Sequence, residues 1–201
     1  MSGKILLSTA YLPPIEYFSR ILRADAVYVE KEENYIKQSY RNRCYILSSH
    51  GPQLLSVPVY LGSLHKTPLK EIRIDYSKRW QQVHLRAITA AYSSSPFFQF
   101  YFENIEKVIS KKIEFLLELN MELTESVLEM LKIKINLLYT NKFEPAGGSE
   151  NDFRYKISPK ASSQFAGKEY LQVFRTDKSF VKGLSIIDLV FNTGPEAVDY
   201  L

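Results

Sequence analysis

The run Tyr35-Ile36-Lys37-Gln38-Ser39-Tyr40-Arg41-Asn42-Arg43 carries three cations among polar neighbours and almost no apolar residue. In an extended segment Lys37, Arg41 and Arg43 would alternate with Gln38, Tyr40 and Asn42, giving one cationic face and one neutral polar face. Arginine offers anions a planar fork and lysine a point charge, so such a segment suits a phosphate, carboxylate or nucleotide. Lys37, Asn42 and Arg43 are the anion-binding candidates, with Arg41 pointing away from Asn42. The competing reading is a solvated edge strand whose charges discourage aggregation.

His84 is the general acid/base candidate, because an imidazole titrates near neutrality. It stands four residues after Trp80, on one face of an expected helix. Its structural alternative is a ring packed beside Trp80. His50 and His65 fall in expected loops. Tyr11 is the second catalytic candidate, since it follows the first expected strand, where α/β sheets place ligand sites. Pro13-Pro14 would stiffen that corner and leave the next helix N-terminus near a ligand, with Ser8 and Thr9 as hydroxyl donors. An ordinary strand-to-helix corner would look the same. Asp188 is a lone carboxylate amid Ile186, Ile187, Leu189 and Val190, so it needs a partner if buried. Arg43 and Arg154 are the expected partners, and a partnered Asp188 could also orient a base or hold a ligand. Ser185 and Asn192 flank it as alternative caps. Asp152 and Arg154 border the glycine loop, as lid contacts or surface charges.

Several chemistries lack their residues. There is no glycine-rich phosphate loop, so neither a Walker loop nor a dinucleotide fingerprint supports nucleotide use. The single cysteine, Cys44, cannot form an internal disulfide, and no Cys/His cluster has metal-ligand spacing. No metal site and no cofactor is assigned, although a carboxylate-bound Mg²⁺ could arrive with a nucleotide. The net charge of +4 is less than a dedicated nucleic-acid binder usually concentrates, and fits an anionic small molecule such as a nucleotide-sugar or acyl carrier. No apolar run approaches the ~20 residues of a membrane span. The short apolar patch at Ile5-Leu6-Leu7 is too soon interrupted for a signal peptide. The expectation is a soluble, cytoplasmic protein.

The elements that would position these residues follow an α/β pattern: a mixed sheet with a strand-loop-helix-strand start and a mostly helical central section. Strands are expected over 4–8, 25–30, 35–47 and 53–60, with a turn at His50-Gly51-Pro52. Leu69 to Asp75 alternates like a half-exposed strand. Helices are expected over 15–24, from Trp80 to Ala91, over 97–119 and 123–138 with a break near Asn120, and over 184–192, closed by Gly194-Pro195. Trp80, Val83, His84, Ala87, Ile88 and Ala91 should share one helix face. Tyr170 to Phe174 reads as a short strand or turn. Residues 143–163, including Ala146-Gly147-Gly148-Ser149, read as a long functional or mobile loop. At 201 residues the chain is long enough for one domain over 1–201.

These residues also form a recognisable series. Tyr11-Leu12-Pro13, Tyr17-Phe18, Lys37 through Asn42-Arg43, Val57-Pro58-Val59 and Ile72-Arg73-Ile74-Asp75 come first. Trp80-x-x-x-His84, Ala91-Tyr92, Ser95-Pro96 and Phe98-x-x-Tyr101 follow, then Tyr170-x-Gln172-x-Phe174, Leu184 to Asp188, and Phe191-Asn192-x-Gly194-Pro195. Together they resemble the WbqC-like protein family, found among bacterial surface-polysaccharide (O-antigen) gene clusters. Many members carry His-Gln-Pro just before the Tyr-Leu-Pro element, where this chain has Ser8-Thr9-Ala10. The resemblance implies a transferase-like enzyme in surface-glycan or nucleotide-sugar modification. The missing histidine leaves open a non-catalytic alternative: an anion- or RNA-binding module or an assembly partner.

Overall fold

The first strand forms because Lys4–Ser8 alternates in burial, sending Ile5 and Leu7 inward. The computed structural model describes residues 3–60, 66–146, 149–161, 163, 165, 167–174 and 179–201. After β1 (Lys4–Ser8), Pro14 stands at the start of α1 (Ile15–Leu22), whose Phe18 and Ile21 are fully buried. The chain returns as β2 (Ala26–Glu30), parallel to β1 with Leu6 opposite Tyr28 and Ser8 opposite Glu30. β5 (Leu137–Tyr139) adds to β2, again parallel, giving the order β1-β2-β5. The free side of β1 is covered by 151–153, through Leu6 N to Asn151 O at 3.0 Å and Phe153 N to Leu6 O at 2.8 Å.

The second sheet is the antiparallel hairpin of β3 (Arg43–Ser48) and β4 (Gly51–Ser56). Its turn uses Gly51 at φ +98°, where a side chain would be strained. The architecture is thus α/β, with parallel and antiparallel pairing in separate sheets. Four more helices complete it: α2 (Trp80–Tyr92), α3 (Phe98–Ile109), α4 (Leu116–Met130) and α5 (Ile186–Thr193). One cluster of buried apolar side chains runs from Ile5 to Leu201. No described helix is long and apolar enough to cross a membrane.

Several elements differ from the expected ones. Residues 35–39 are not a strand: Gln38 is left-handed (φ 57°), Ser39 Oγ donates to Ile36 O at 2.6 Å, and Tyr40–Asn42 is a 3₁₀ turn. The strand therefore begins only at Arg43, and the cationic face does not form. Leu69 to Asp75 buries Leu69, Ile72 and Ile74, as its alternation demands, but as a 3₁₀ turn over Leu69–Glu71 followed by isolated bridges. Those bridges also move the helix break. Ile74 N donates to Glu114 O and Leu116 N to Ile72 O, each at 2.9 Å, so the chain is pulled out straight near Phe115. Asn120 instead sits inside α4, fully buried, its Nδ2 donating to Arg41 O at 2.7 Å. The chain beyond Met130 is not helical. Lys132 at φ 55° closes α4 by a Schellman arrangement, with Lys132 N to Glu129 O and Ile133 N to Leu128 O, both 3.0 Å. Of the two readings for Tyr170 to Phe174 the structure has the turn, at residues 173–174, and not the strand. On α2, Trp80, His84, Ile88 and Ala91 are buried but Val83 is 60% exposed, so the buried face is narrower than the spacing implied.

Candidate functional site

The segment leaving β1 is the hinge of the site. Ser8, Thr9, Ala10, Tyr11 and Leu12 are all buried, and Leu12 adopts φ 40°, rare for a non-glycine residue. The segment is fixed by Tyr11 N donating to Tyr40 O at 2.9 Å. The start of α1 is stitched to the start of α5, with Ile186 N donating to Pro13 O at 2.9 Å and Ile15 N to Leu184 O at 3.2 Å.

Tyr11 turns toward α2. Its hydroxyl lies 2.8 Å from His84 Nδ1, and its ring and that of Trp80 pack edge-on at 6.4 Å. The His84 ring also packs edge-on to Trp80 at 5.1 Å. The backbone carbonyl of Ser56 engages His84 as well. In the tautomer that carries the ring proton on Nε2, Nδ1 accepts from the Tyr11 hydroxyl. Burial pushes His84 down to about 4, so the ring is neutral near pH 7. Asn42 reaches the same strand end, with Nδ2 donating to Val57 O at 2.8 Å and Ser56 Oγ at 3.3 Å. Tyr11, His84 and Asn42 thus converge on the end of β4, in a place closed to solvent.

Ser8 faces a different cluster, at the carboxyl ends of β1 and β2. Arg41 grips Glu33 through both forks, Nε at 2.9 Å and Nη2 at 2.6 Å, and Nη2 also donates to Ser8 Oγ at 2.7 Å. Ser8 Oγ in turn donates to Arg154 O at 3.1 Å. Arg154 donates to Glu30 at 3.0 Å and forks onto Asp152 at 3.0 and 2.7 Å. Thr140 Oγ1 donates to Glu30 Oε1 at 2.7 Å, drawing in the end of β5. Arg41, Glu33, Glu30 and Arg154 are all nearly inaccessible, so each charge depends on its partner. The Asp152–Arg154 pair is therefore not loose surface charge.

The remaining expected residues lie apart. Lys37 is exposed, and Arg43 is half-buried opposite Ser56 with no partner for its Nε among the described residues. Asp188 is fully buried, but neither Arg43 nor Arg154 reaches it. It accepts from Tyr92 Oη at 2.9 Å, from Tyr170 Oη and from Gln172 Nε2 at 3.3 Å. Burial holds its carboxyl above the usual range, against the lowering pull of the Tyr170, Tyr92 and Gln172 donors that stand where a guanidinium was expected. Ser185 Oγ caps α5, accepting from Ile187 N, whereas Asn192 Nδ2 donates back to Asp188 O at 2.7 Å. Cys44 is buried with its thiol pushed up, an inert side chain. His50 is exposed at the hairpin turn, and His65, Gly147 and Gly148 lie outside the described residues. Among the described residues no group of His, Cys, Asp and Glu could hold a metal.

One open concavity sits at the start of α1. A cleft of about 240 Å³ is lined by Glu16, Tyr40, Tyr45, Lys156, Ser163 and Lys182, with prolines 14, 52 and 159 in its walls. Glu16, in the first turn of α1, is only 8% exposed. It accepts from Ser163 Oγ at 2.8 Å and from Arg20 Nη2 at 3.4 Å. Burial, then nearby Tyr45 and Glu16, push the Tyr40 hydroxyl up to about 12. Lys156 donates to the carbonyls of Ser149 and Glu150, whereas Lys182 is exposed with no ion pair among the described residues. Tyr40 and Ile157 also border a recess of about 10 Å³, room for about one water, lined by Ser8, Thr9 and Arg41. Thr9 Oγ1 is buried without a partner there.

Sequence reasoning passed over Glu16, Tyr45, Glu33 and Lys182. The signal for Glu33 was an acidic pair just ahead of the cationic run, and for Glu16 a carboxylate two residues after the proline pair. Nothing local marks Lys182 or Tyr45, which meet only through tertiary folding.

Three comparisons bear on this geometry. The model of the WbqC-like protein family matches residues 9–171. The chain is also 26% identical, over all of its length and 98% of the relative's, to a Mycobacterium tuberculosis (strain ATCC 25618 / H37Rv) protein described as uncharacterized protein Rv1507c. No solved structure matches.

Proposed function

Because the chain belongs to the WbqC-like protein family, we propose that it is a transferase-like enzyme of surface-glycan or nucleotide-sugar modification, binding an anionic sugar donor in the cleft at the start of α1. The observation that carries this reading is the cleft's position and lining. It opens beyond the carboxyl end of β1, the side on which open parallel sheets bind ligands. Tyr40 and Tyr45 offer flat faces of the kind a sugar ring packs on, and Lys182 a cation for a phosphate, with no ion pair among the described residues. Ser8 and Arg41, joined by their mutual hydrogen bond, line the small recess that shares Tyr40 and Ile157 with the cleft. Tyr11, anchored by His84, supports the segment from the other side, which is a positioning role, while Asn42 ties the start of β3 to Val57.

The test is a thermal-shift screen against nucleotide-sugars, acyl carriers, nucleotides and short RNA, since a ligand selective for the folded state raises its apparent stability. A shift with a nucleotide-sugar, lost in Lys182→Ala and in Tyr40→Ala, is the expected result. Stabilisation by RNA alone, fading with added salt, would overturn it. The second reading, a non-catalytic binding module, is favoured by His84 being neutral and enclosed and by Ser8-Thr9-Ala10 in place of His-Gln-Pro. It predicts ligand binding with no transfer product detectable by mass spectrometry.

A further inference from the structure

The cleft carries both signs of charge. Lys182 and Lys156 are its cations, and Glu16 is the carboxylate among its lining residues. A carboxylate buried to 8% exposure is costly unless its acceptor positions are used. Glu16 receives one short hydrogen bond, from Ser163, and one at the long limit, from Arg20, whose guanidinium is also drawn over the Phe153 ring at 4.7 Å. A carboxylate has about four acceptor sites, so two remain among the described residues. Beside it in the same cleft are two phenol rings, Tyr40 and Tyr45. A desolvated carboxylate next to aromatic faces favours an alkylammonium: the carboxylate accepts its N–H donors, and the rings attract its charge. A neutral hydroxyl in that place donates a single hydrogen bond to the carboxylate and gains neither charge–charge attraction nor attraction from the rings.

We infer that Glu16, Tyr40 and Tyr45 form an ammonium subsite, so that the sugar taken into the cleft bears a free amine together with its phosphate. This rests on the reading of the cleft as a sugar-phosphate site and narrows its substrate class to amino sugars. The phosphate is left to Lys182 and the amine to Glu16, which gives a zwitterionic ligand one register.

The experiment compares glucosamine 1-phosphate with glucose 1-phosphate by isothermal titration calorimetry, at a pH where the amine is protonated. The two probes differ in one substituent. The wild-type protein should bind the amino sugar at least about tenfold more tightly, the factor matching one charge-assisted hydrogen bond. Glu16→Gln should remove that preference while leaving glucose 1-phosphate binding in place. Equal wild-type affinity for both probes overturns the ammonium subsite and leaves the sugar-phosphate reading standing. Binding of neither overturns both. Should Glu16→Gln fail to fold, the wild-type comparison still decides. Tyr45→Leu, which keeps an apolar wall but removes a ring, should then shrink the preference, and an unchanged preference counts against the inference.

Discussion

Acidification should destabilise this protein through His84, and the size of the effect follows from its burial. The ring's pKa falls from an ordinary 6.5 to about 4 in the folded chain because burial penalises the imidazolium. An unfolded chain therefore takes up a proton near 6.5 that the folded chain refuses until about 4. The His84 contribution is complete above the unfolded value and is lost as pH falls through that window. Between about pH 7.5 and about pH 5, two-state linkage gives a loss of about 2 kcal/mol. Asp188 acts in the opposite sense: with its folded pKa raised, the folded chain holds that proton better, and stability falls as pH rises through its window. Asp188 is present in wild type and in His84→Gln alike, so comparing the two isolates His84. The assay is urea denaturation of both proteins at the two pH values. Wild type should lose about 2 kcal/mol more on acidification than His84→Gln. Equal losses would refute a neutral ring held by the Tyr11 hydroxyl and the Ser56 carbonyl.

Three further outcomes are expected. Tyr11→Phe removes the donor to His84 Nδ1 and leaves a buried acceptor unmet, a cost of about 1–3 kcal/mol by denaturant titration. Arg41→Met strands the Glu33 carboxylate and should cost about 3–5 kcal/mol, whereas adding Glu33→Leu should recover most of it, because the pair's desolvation cost disappears with both charges. Lys132→Gly should stabilise by about 1 kcal/mol, since an exposed left-handed position closing α4 suits glycine, and an unchanged urea midpoint would contradict that.

The parts of the fold that the sequence made legible are those governed by local periodicity. The strand-helix-strand opening, the hairpin turn at Gly51, α2 from Trp80 and α5 closed by Gly194 all follow from period-two or three-and-four burial with the right punctuation. What was not legible depends on partners far along the chain. Asn120 looked like a helix breaker because an isolated Asn disfavours helix interiors, yet the carbonyl of Arg41 gives its side chain a bond inside α4. The straightened chain near Phe115 exists because Ile72 and Ile74 hydrogen-bond beside it, which no window around Phe115 reveals. The same holds for the site. Tyr11 and His84 do meet, but it is Arg41 that engages Ser8, because the left-handed Gln38 and the 3₁₀ turn rotate the run away from an extended phase. Glu16 and Lys182 share a cleft only because the starts of α1 and α5 are stitched together.

The strand order β1-β2-β5 also dictates when this protein can become stable during synthesis. β1 and β2 leave the ribosome early, but their third strand begins only at Leu137, and the cover over the free side of β1 arrives with Asn151. The residues binding Asp188 add a later constraint, joining Tyr92 to Tyr170 and Gln172. Such pairings close long loops before any contact rewards them, so folding should be slow for the chain's size. A nascent chain halted before Leu137 exposes the edge of β2, a template for pairing with another chain. Shortening the protein from its C-terminal side should therefore produce aggregation rather than a smaller folded unit.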